Sequence, residues 1–181
     1  MGNGCSSEPG RTARGWLQPI ARVLRYFDIT YTIKYNTIMG SPAVVIDTNI
    51  IISAQRSMHG ASARLVSLIG TGLFDIHVSI PLVLEYEEIL ARYQSSLGLN
   101  QSDILDLVDA LCHLAIRHKR IQFSWRPYLR DPKDEFILDL AVKARCDYIV
   151  TFNEKDFAGA EKFGIEVCGP KAFLQTIGVI S

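Results

Sequence analysis

The sequence predicts an α/β fold, a three-layer Rossmann-like sandwich around a mostly parallel central sheet. Short apolar, β-branched segments alternate along the chain with segments of helical spacing, as in sheets whose strands are joined by right-handed helical crossovers. The 181 residues suffice for one domain with one core. Hydrophobic residues make up 48% and charged residues 21%, which favours a folded globule over a disordered chain.

The first predicted strand is AVVID, which begins at Ala43 and is a β-branched run suited to burial on both faces of a sheet. Helical spacing follows in ASARLVSLIGTG, which Gly70 and Gly72 end. FDIHVS is the second predicted strand. Pro81 then opens a predicted helix over PLVLEYEEILARY.

The second half of the chain continues the alternation. A helix is predicted over about 101–119 with Ser102 or Asn100 as its N-cap, and RIQFSW is a weak strand candidate after it. Helical spacing returns over 134–145, followed by a buried strand in DYIVTF. IEVCG and PKAFLQTIG supply the last strand and helix.

Residues 1–38 lack the apolar spacing of a core element, and glycines and a proline interrupt their first half. We expect them to be a poorly ordered N-terminal extension, or to precede the true start at Met39. The folded domain is predicted to span 39–181.

Composition excludes several classes of function. Basic and acidic residues both total 19, so no whole-molecule field draws the chain to nucleic acid or to a membrane. No apolar run reaches the roughly 18 residues of a membrane helix. The histidines follow no zinc pattern, and the cysteines are widely scattered, which predicts reduced thiols in a cytoplasmic protein: Cys5, Cys112, Cys146 and Cys168.

Acidic residues stand where parallel α/β sheets bind ligands, beyond the carboxyl ends of strands. Asp47 follows the first predicted strand, Glu85 lies in the helix after the second, and Asp134 begins a helix. Taken singly, Asp47 and Asp134 are equally explained as helix caps. Glu88 lies one turn from Glu85 on the same helix face, so spacing does not choose between them.

Taken together, these acids predict a metal site. Three carboxylates in one cleft would repel and raise one another's pKa unless a divalent cation neutralised them. Ligands that are all oxygen favour Mg²⁺ or Mn²⁺. Such ions activate a water and stabilise the leaving oxygen of a phosphodiester, so the predicted chemistry is phosphodiester hydrolysis.

Four motifs in order resemble the PIN-domain family, including VapC-type toxins: AVVIDTNIIISA, IPLVLEYEEILAR, DEFILDLA and IVTFNEKDF. The resemblance covers about Ala43 to Ile177 and implies a PIN-like fold. It favours Glu85 over Glu88 as the second acid. It implies catalytic and metal-binding roles for Asp47, Glu85, Asp134 and Asp156, a metal-binding role for Asn153, and supporting roles for Thr48, Asn49, Ser53 and Thr151.

The sequence departs from the family at Asn153, where many relatives have aspartate. Either Asp156 supplies the charge, or the site binds its second metal weakly. The resemblance implies an Mg²⁺-dependent (or Mn²⁺-dependent) endoribonuclease that acts on single-stranded RNA as the toxin of a toxin-antitoxin pair. A cognate antitoxin and a homodimer are the partners it implies.

Basic residues between the second long helix and Asp134 offer a predicted RNA-binding rim. RHKR is equally explained as a solvated helix end. Trp125 and Tyr128 are candidates for stacking on bases, although such aromatics more often belong to a core. The predicted rim residues are Arg117, Lys119, Arg120, Arg130 and Lys133.

Two further hypotheses compete with a nuclease. Phosphoryl transfer through Asp47 as nucleophile is disfavoured, because DTN lacks the second aspartate of a D-x-D motif and no lysine follows IVTF. A PIN-like module that binds RNA or a partner, with a weakened metal corner, is kept open by Asn153.

Overall fold

A computed structural model describes residues 40–119, 121, 128–129 and 131–180. Its centre is a five-stranded sheet in the order β3-β2-β1-β4-β5 with every strand pair parallel. The predicted α/β class with a mostly parallel sheet is confirmed. The strands are β1 (Ala43–Ile46), β2 (Asp75–Ser79), β3 (Ile116–His118), β4 (Tyr148–Val150) and β5 (Glu166–Cys168).

Helices flank this sheet. Helix α5 packs on β1, β2 and β4, whereas α3 packs on β2 and on α1 and α4. Two 3-10 turns, Glu154–Phe157 and Ala160–Phe163, connect β4 to β5. The helices are α1 (Thr48–Arg56), α2 (Ala61–Ser67), α3 (Ile80–Leu97), α4 (Gln101–Leu114), α5 (Glu135–Ala144) and α6 (Pro170–Thr176).

Strand β1 lies at the centre of the sheet between β2 and β4, with Val44 opposite both Ile76 and Tyr148. Val44 and Val45 are fully buried, and Ile46 is nearly so. Elements cover both faces of a central parallel strand, so its sequence is a continuous apolar run rather than an alternating one. The chain therefore leaves the sheet from its central, buried strand directly into Asp47.

The sequence analysis assigned no element to the segment after β1, and TNIIISAQR forms helix α1 there. Three consecutive isoleucines favour a strand locally. Tertiary burial of Ile50, Ile51 and Ile52 overrides that preference, and Asp47 supplies the N-cap by accepting a hydrogen bond from the amide of Asn49 at 3.4 Å.

The predicted helix over 101–119 is too long. Helix α4 begins at the Asn100 N-cap, where Asp103 completes a capping box, and ends at Leu114. Strand β3 follows at once, so the interpretation of RHKR as a helix end is wrong. Ile121 lies outside any strand. The rest of the RIQFSW candidate and the extension 1–38 lie outside the described residues.

The described cysteines are free thiols, and burial raises the pKa of both Cys146 and Cys168 to about 12. These two thiols are therefore unreactive core groups at neutral pH. In the part of the chain that the structure describes, no helix has the length and apolarity to cross a membrane.

Candidate active site

The predicted acidic residues lie at the edge of the sheet formed by the carboxyl ends of β1, β2 and β4. Asp47 is the first residue after β1, and its amide donates to the carbonyl of Val150 in β4 at 3.0 Å. It is only 7% exposed. The aspartate is both the N-cap of α1 and a carboxylate at the strand-end edge, so its role as a cap leaves the predicted metal-binding role open.

A polar network fixes the Asp47 carboxylate. Its Oδ2 accepts from Thr151 Oγ1 at 2.5 Å and from Asn49 Nδ2 at 2.7 Å. Thr151 is fully buried, and its Oγ1 also accepts from the backbone amide of Asn153 at 3.0 Å. Burial raises the pKa of Asp47, and the hydrogen bond from Thr151 partly offsets that rise. Two strand ends are thus joined through one carboxylate.

Glu85 lies on α3 and faces the same network. Its Oε2 accepts a hydrogen bond from Thr48 Oγ1 at 2.6 Å. The neighbouring Tyr86 hydroxyl donates to the carbonyl of Ile46, which ties α3 to the end of β1. Burial raises the pKa of Glu85, and the charges of Asp47 and Glu88 raise it further.

Glu88 occupies a different environment from Glu85. It forms an ion pair with Arg92 at 2.6 Å, and the two side chains are 67% and 59% exposed. The hydrogen bond from Thr48 therefore singles out Glu85 among the two glutamates that spacing left equivalent. A solvated pair of this kind contributes little to stability.

Asp134 immediately precedes α5, and its carbonyl accepts from the amides of Ile137 and Leu138 at 3.0 and 3.3 Å. Its half-buried carboxyl has a pKa raised to about 6. Burial is the largest cause, and the charges of Asp47, Asp131, Asp156 and Glu85 act in the same direction. Acids from four segments of the chain thus share one electrostatic environment.

The fourth corner of the site contains Asn153 and Asp156. Asn153 is exposed, and its amide is held by Thr151. Asp156 is half-buried in the first 3-10 turn, and its charge raises the pKa of both Asp47 and Asp134. Asp156 therefore adds to the negative charge of the cluster, which Asn153 does not. We call Asp47, Glu85, Asp134 and Asp156 the acidic cluster.

The donor chemistry of the acidic cluster fits a hard divalent cation, because every side-chain ligand it offers is a carboxylate oxygen. Among the described residues, no three histidine, cysteine, aspartate or glutamate side chains stand close enough together to form a preformed metal cage. The charges of Asp47, Glu85 and Asp156 nevertheless each raise the pKa of Asp134. Mg²⁺ usually retains several of its waters, so it does not require such a cage.

Ser53 is half-buried in α1, and among the described residues no hydrogen bond joins it to the acidic cluster. Three predicted rim cations are exposed at this edge: Arg117 in β3, Lys119 just after it, and Lys133 beside Asp134. Strand β3 is two strands from β1, or about 10 Å. Arg120 and Arg130 lie outside the described residues.

Of the two predicted stacking aromatics, Trp125 lies outside the described residues. Tyr128 packs edge-on against Phe163 at 5.1 Å between ring centroids, with the Lys162 ammonium 5.9 Å above its ring. Its hydroxyl donates to the carbonyl of Gly159 at 3.4 Å. The Tyr128 ring is thus committed to contacts within the protein.

Sequence analysis missed Glu135, which is 2% exposed at the start of α5. Its Oε1 accepts hydrogen bonds from the backbone amides of Tyr128 and Leu129, so it fixes the segment that leads to Asp134. A glutamate in the first turn of a helix is usually a solvated dipole contact, and spacing carries no signal for this role. Asp131, exposed in the turn before Asp134, was also missed as a contributor of charge.

A family model described as PIN domain matches residues 43–155. The match begins at Ala43, the first residue of β1, and ends at Lys155 in the first 3-10 turn. It therefore includes Asp47, Glu85 and Asp134 of the acidic cluster and ends one residue before Asp156. No curated protein matches the chain.

Proposed function

The chain belongs to the PIN-domain family, whose members are generally nucleases, and on this premise we propose that it is a metal-dependent endoribonuclease that hydrolyses phosphodiester bonds in single-stranded RNA. The observation that supports this proposal best is that acids of the acidic cluster raise the pKa of one another. Burial, and after it the charges of Asp47, Asp131, Asp156 and Glu85, raises the pKa of Asp134 to about 6. A divalent cation bound among these carboxylates would favour their ionised forms.

Asp47, Glu85, Asp134 and Asp156 would hold Mg²⁺ or Mn²⁺. When bound, such an ion supplies a nucleophilic water near neutral pH and neutralises charge on the phosphate oxygens. The chain's own contribution is positioning. Thr151 and Asn49 orient the Asp47 carboxylate, and Thr48 orients Glu85, so the acids meet a phosphodiester in one fixed arrangement.

RNA as the substrate is supported by exposed cations, namely Lys133 next to Asp134 in the chain and Arg117 and Lys119 in and after β3, because lysine and arginine bind phosphates. Arg120 and Arg130 are proposed to extend this rim. The net charge of the whole chain is zero, so a local rim must supply the attraction. Strong salt dependence of RNA binding is the expected signature.

The test compares variants that remove charge and little volume. Asp47→Asn and Asp134→Asn keep size and one acceptor but lose the charge that binds a hard cation. We expect each to reduce Mg²⁺-dependent cleavage of single-stranded RNA by at least about 100-fold, beyond the 10- to 100-fold effect of supporting residues. Circular dichroism checks that each variant is folded.

Glu88→Gln is the matched control, because among the described residues Glu88 forms an exposed ion pair with Arg92 on the same helix surface, and we expect it to keep most of the parent rate. Asp139 is no control of this kind, since it is 1% exposed inside α5 and a change there perturbs the core. Undiminished cutting by Asp47→Asn would show that the proposed metal site is wrong.

The side chain of Asn153 is uncharged and so binds a cation more weakly than a carboxylate would. This favours a second candidate function, an RNA- or partner-binding module with a weakened metal site. Such a module shifts RNA in a gel without cutting it at any Mg²⁺ or Mn²⁺ concentration. Metal-dependent cleavage products from a mixed RNA pool would exclude it.

The biological role that we propose is the toxin of a toxin-antitoxin pair, acting as a homodimer in the cytoplasm and inhibited by a cognate antitoxin. The support is the resemblance of the motifs to VapC-type toxins. Growth arrest on induced expression, relieved by co-expression of a small protein encoded beside it, is the expected result. Arrest that persists with Asp47→Asn would contradict a role through RNA cleavage.

A further inference from the structure

Several large apolar side chains of the described chain are exposed, and some of them are close in sequence to residues of the acidic cluster. In the described part of the chain, four large hydrophobic side chains are more than half exposed: Met58 at 57%, Ile80 at 57%, Leu84 at 59% and Phe152 at 53%. Met58 follows α1. The other three follow β2, adjoin Glu85 or follow β4. Exposed apolar side chains are ordinary on a protein surface, so their number alone does not indicate a ligand.

Phe152 is the aromatic member of this set, and hydrogen bonds link its backbone to the site. Its amide donates to Asn49 Oδ1 at 3.3 Å, and Asn49 Nδ2 in turn donates to Asp47. The preceding residue, Thr151, is fully buried and donates to the same carboxylate. The ring is therefore carried on a fixed backbone beside the acidic cluster, which lowers the entropy cost of using it to bind.

The chemistry of the Phe152 ring selects the part of a nucleotide that it can contact. The ring has no hydrogen-bonding group, so it recognises neither a phosphate nor a ribose hydroxyl. Every base has a flat π face, and aromatic side chains bind unpaired bases by stacking on it. Tyr128, by contrast, is already packed against Phe163.

We propose that Phe152 is the stacking platform for an unpaired base next to the scissile phosphate. This inference rests on the proposed ribonuclease function and adds a substrate-positioning residue to it. Stacking tolerates any base, because it does not use hydrogen-bond donors or acceptors. The platform therefore favours unpaired RNA over duplex RNA without imposing a sequence.

The experiment uses the full chain and two synthetic RNAs. The first is an oligoadenylate with one mapped cleavage position, and the second is the same strand with base-free riboses on both sides of that position. With the first strand, we expect Phe152→Ala to raise KM about 5- to 150-fold, the equivalent of losing one stacked base, and to leave kcat within about twofold. Phe152→Trp restores the parent KM.

With the base-free strand, the parent and Phe152→Ala should have the same KM, because neither has a base to stack. Tyr93→Ala is the matched control: this aromatic is 40% exposed on the same helix as Glu85, eight residues or about 12 Å further along. It should leave KM unchanged on both strands.

Three results would overturn the platform while leaving the nuclease intact. They are an unchanged KM for Phe152→Ala on oligoadenylate, an equal increase on the base-free strand, and an altered oligomeric state of Phe152→Ala in size-exclusion chromatography, which would assign the ring to a protein contact. A parent that cuts neither strand, nor any mixed RNA pool, removes both the proposed function and the platform.

Discussion

At the scale of single residues, the arrangement of Asp47 depends on neighbours that carry no charge. Thr151 donates to the Asp47 carboxylate at 2.5 Å and accepts from the amide of Asn153, so one hydroxyl sets two corners of the site. Asn49 contacts both Asp47 and Thr151. Partners that orient metal ligands in this way commonly matter nearly as much as the ligands themselves.

We expect Thr151→Ala to lower Mg²⁺-dependent cleavage by about 10- to 100-fold, because the carboxylate of Asp47 loses the donor that orients it. Thr151→Ser keeps the hydroxyl and should recover most of the rate. The measurement is kcat/KM on single-stranded RNA, with metal affinity from titration. Equal losses for alanine and serine would assign the effect to packing rather than to the hydrogen bond.

Asn153→Asp tests the corner where the sequence departs from the family pattern that it resembles. If the Asn153 side chain faces bound metal, an added carboxylate should tighten Mg²⁺ binding and raise the cleavage rate at subsaturating Mg²⁺. The exposed Asn153 side chain makes this change without a burial cost. A tighter metal without faster cutting would separate binding from catalysis, and no change in either would leave Asp156 as the charge of this corner.

The positions of the four acids relative to the strands could be predicted from the sequence, because Asp47 follows β1, Asp134 begins a helix, and Glu85 and Asp156 lie in the segments after β2 and β4. The choice of Glu85 over Glu88 came from the family resemblance, and the hydrogen bond from Thr48 to Glu85 now supports it. Spacing could not supply this choice, since both glutamates lie on one helix face. The role of Glu135 could not be predicted, because its partners are backbone amides and no sequence motif indicates such a contact.

At the scale of elements, the segment before α5 depends on Glu135. The carboxylate accepts from the amides of Tyr128 and Leu129 while it is almost completely buried. Its loss would leave buried donors without a partner, which costs more than an ordinary hydrogen bond contributes. Glu135, in the first turn of α5, therefore holds the backbone of Tyr128 and Leu129, which precede Asp134 in the chain.

We expect Glu135→Ala to reduce the free energy of unfolding by about 1–3 kcal/mol for the stranded backbone amides, measured by urea denaturation. Cleavage should fall as well, because Asp134 follows the released segment. Glu88→Ala is the control, and the loss of its exposed pair with Arg92 should cost under about 1 kcal/mol. A stable Glu135→Ala variant that still loses activity would place Glu135 in the chemistry instead.

The elements that sequence analysis missed or misplaced share one physical cause, which is that tertiary contacts override local preference. The isoleucines of α1 favour a strand until burial and the Asp47 cap make them helical. Strand β3 has only three residues, too few for a periodicity to show. It is instead fixed to β2 by register and by the stacked pair His77 and His118, whose ring nitrogens are 2.9 Å apart.

At the scale of the whole molecule, the balanced charge of the chain hides a strongly uneven distribution. The totals of acidic and basic residues are equal, yet acids from separate segments gather near the carboxyl edge of the sheet, where burial and then the charges of neighbouring acids raise the pKa of Asp134. The order of strands causes this gathering, because β1, β2 and β4 are neighbours in the sheet although far apart in sequence. Stability should therefore depend on pH and on divalent metal.

The sign of that dependence follows from Asp134, whose pKa rises from 3.8 to about 6 on folding. Its protonated form is favoured in the folded chain. The stability that protonated Asp134 contributes is therefore fully present below about pH 4 and is lost as pH rises through 6. Above pH 6 the ionised acidic cluster destabilises the metal-free protein. Mg²⁺ binds only the ionised form, so its stabilising effect should grow over the same window.

We therefore expect Mg²⁺ at ten times its Kd to raise Tm by about 3–6 °C at pH 7.5, from roughly 1.4 kcal/mol of binding free energy, and by much less at pH 5. Asp134→Asn should unfold at a higher temperature than the metal-free parent at pH 7.5, because it removes one repelling charge, and should lose most of the Mg²⁺ effect. Glu88→Gln should keep it. If millimolar Mg²⁺ and Mn²⁺ left the Tm of the parent unchanged at pH 7.5, a cation site at this edge would be contradicted. A cation that binds the ionised carboxylates of the folded chain must raise the free energy of unfolding.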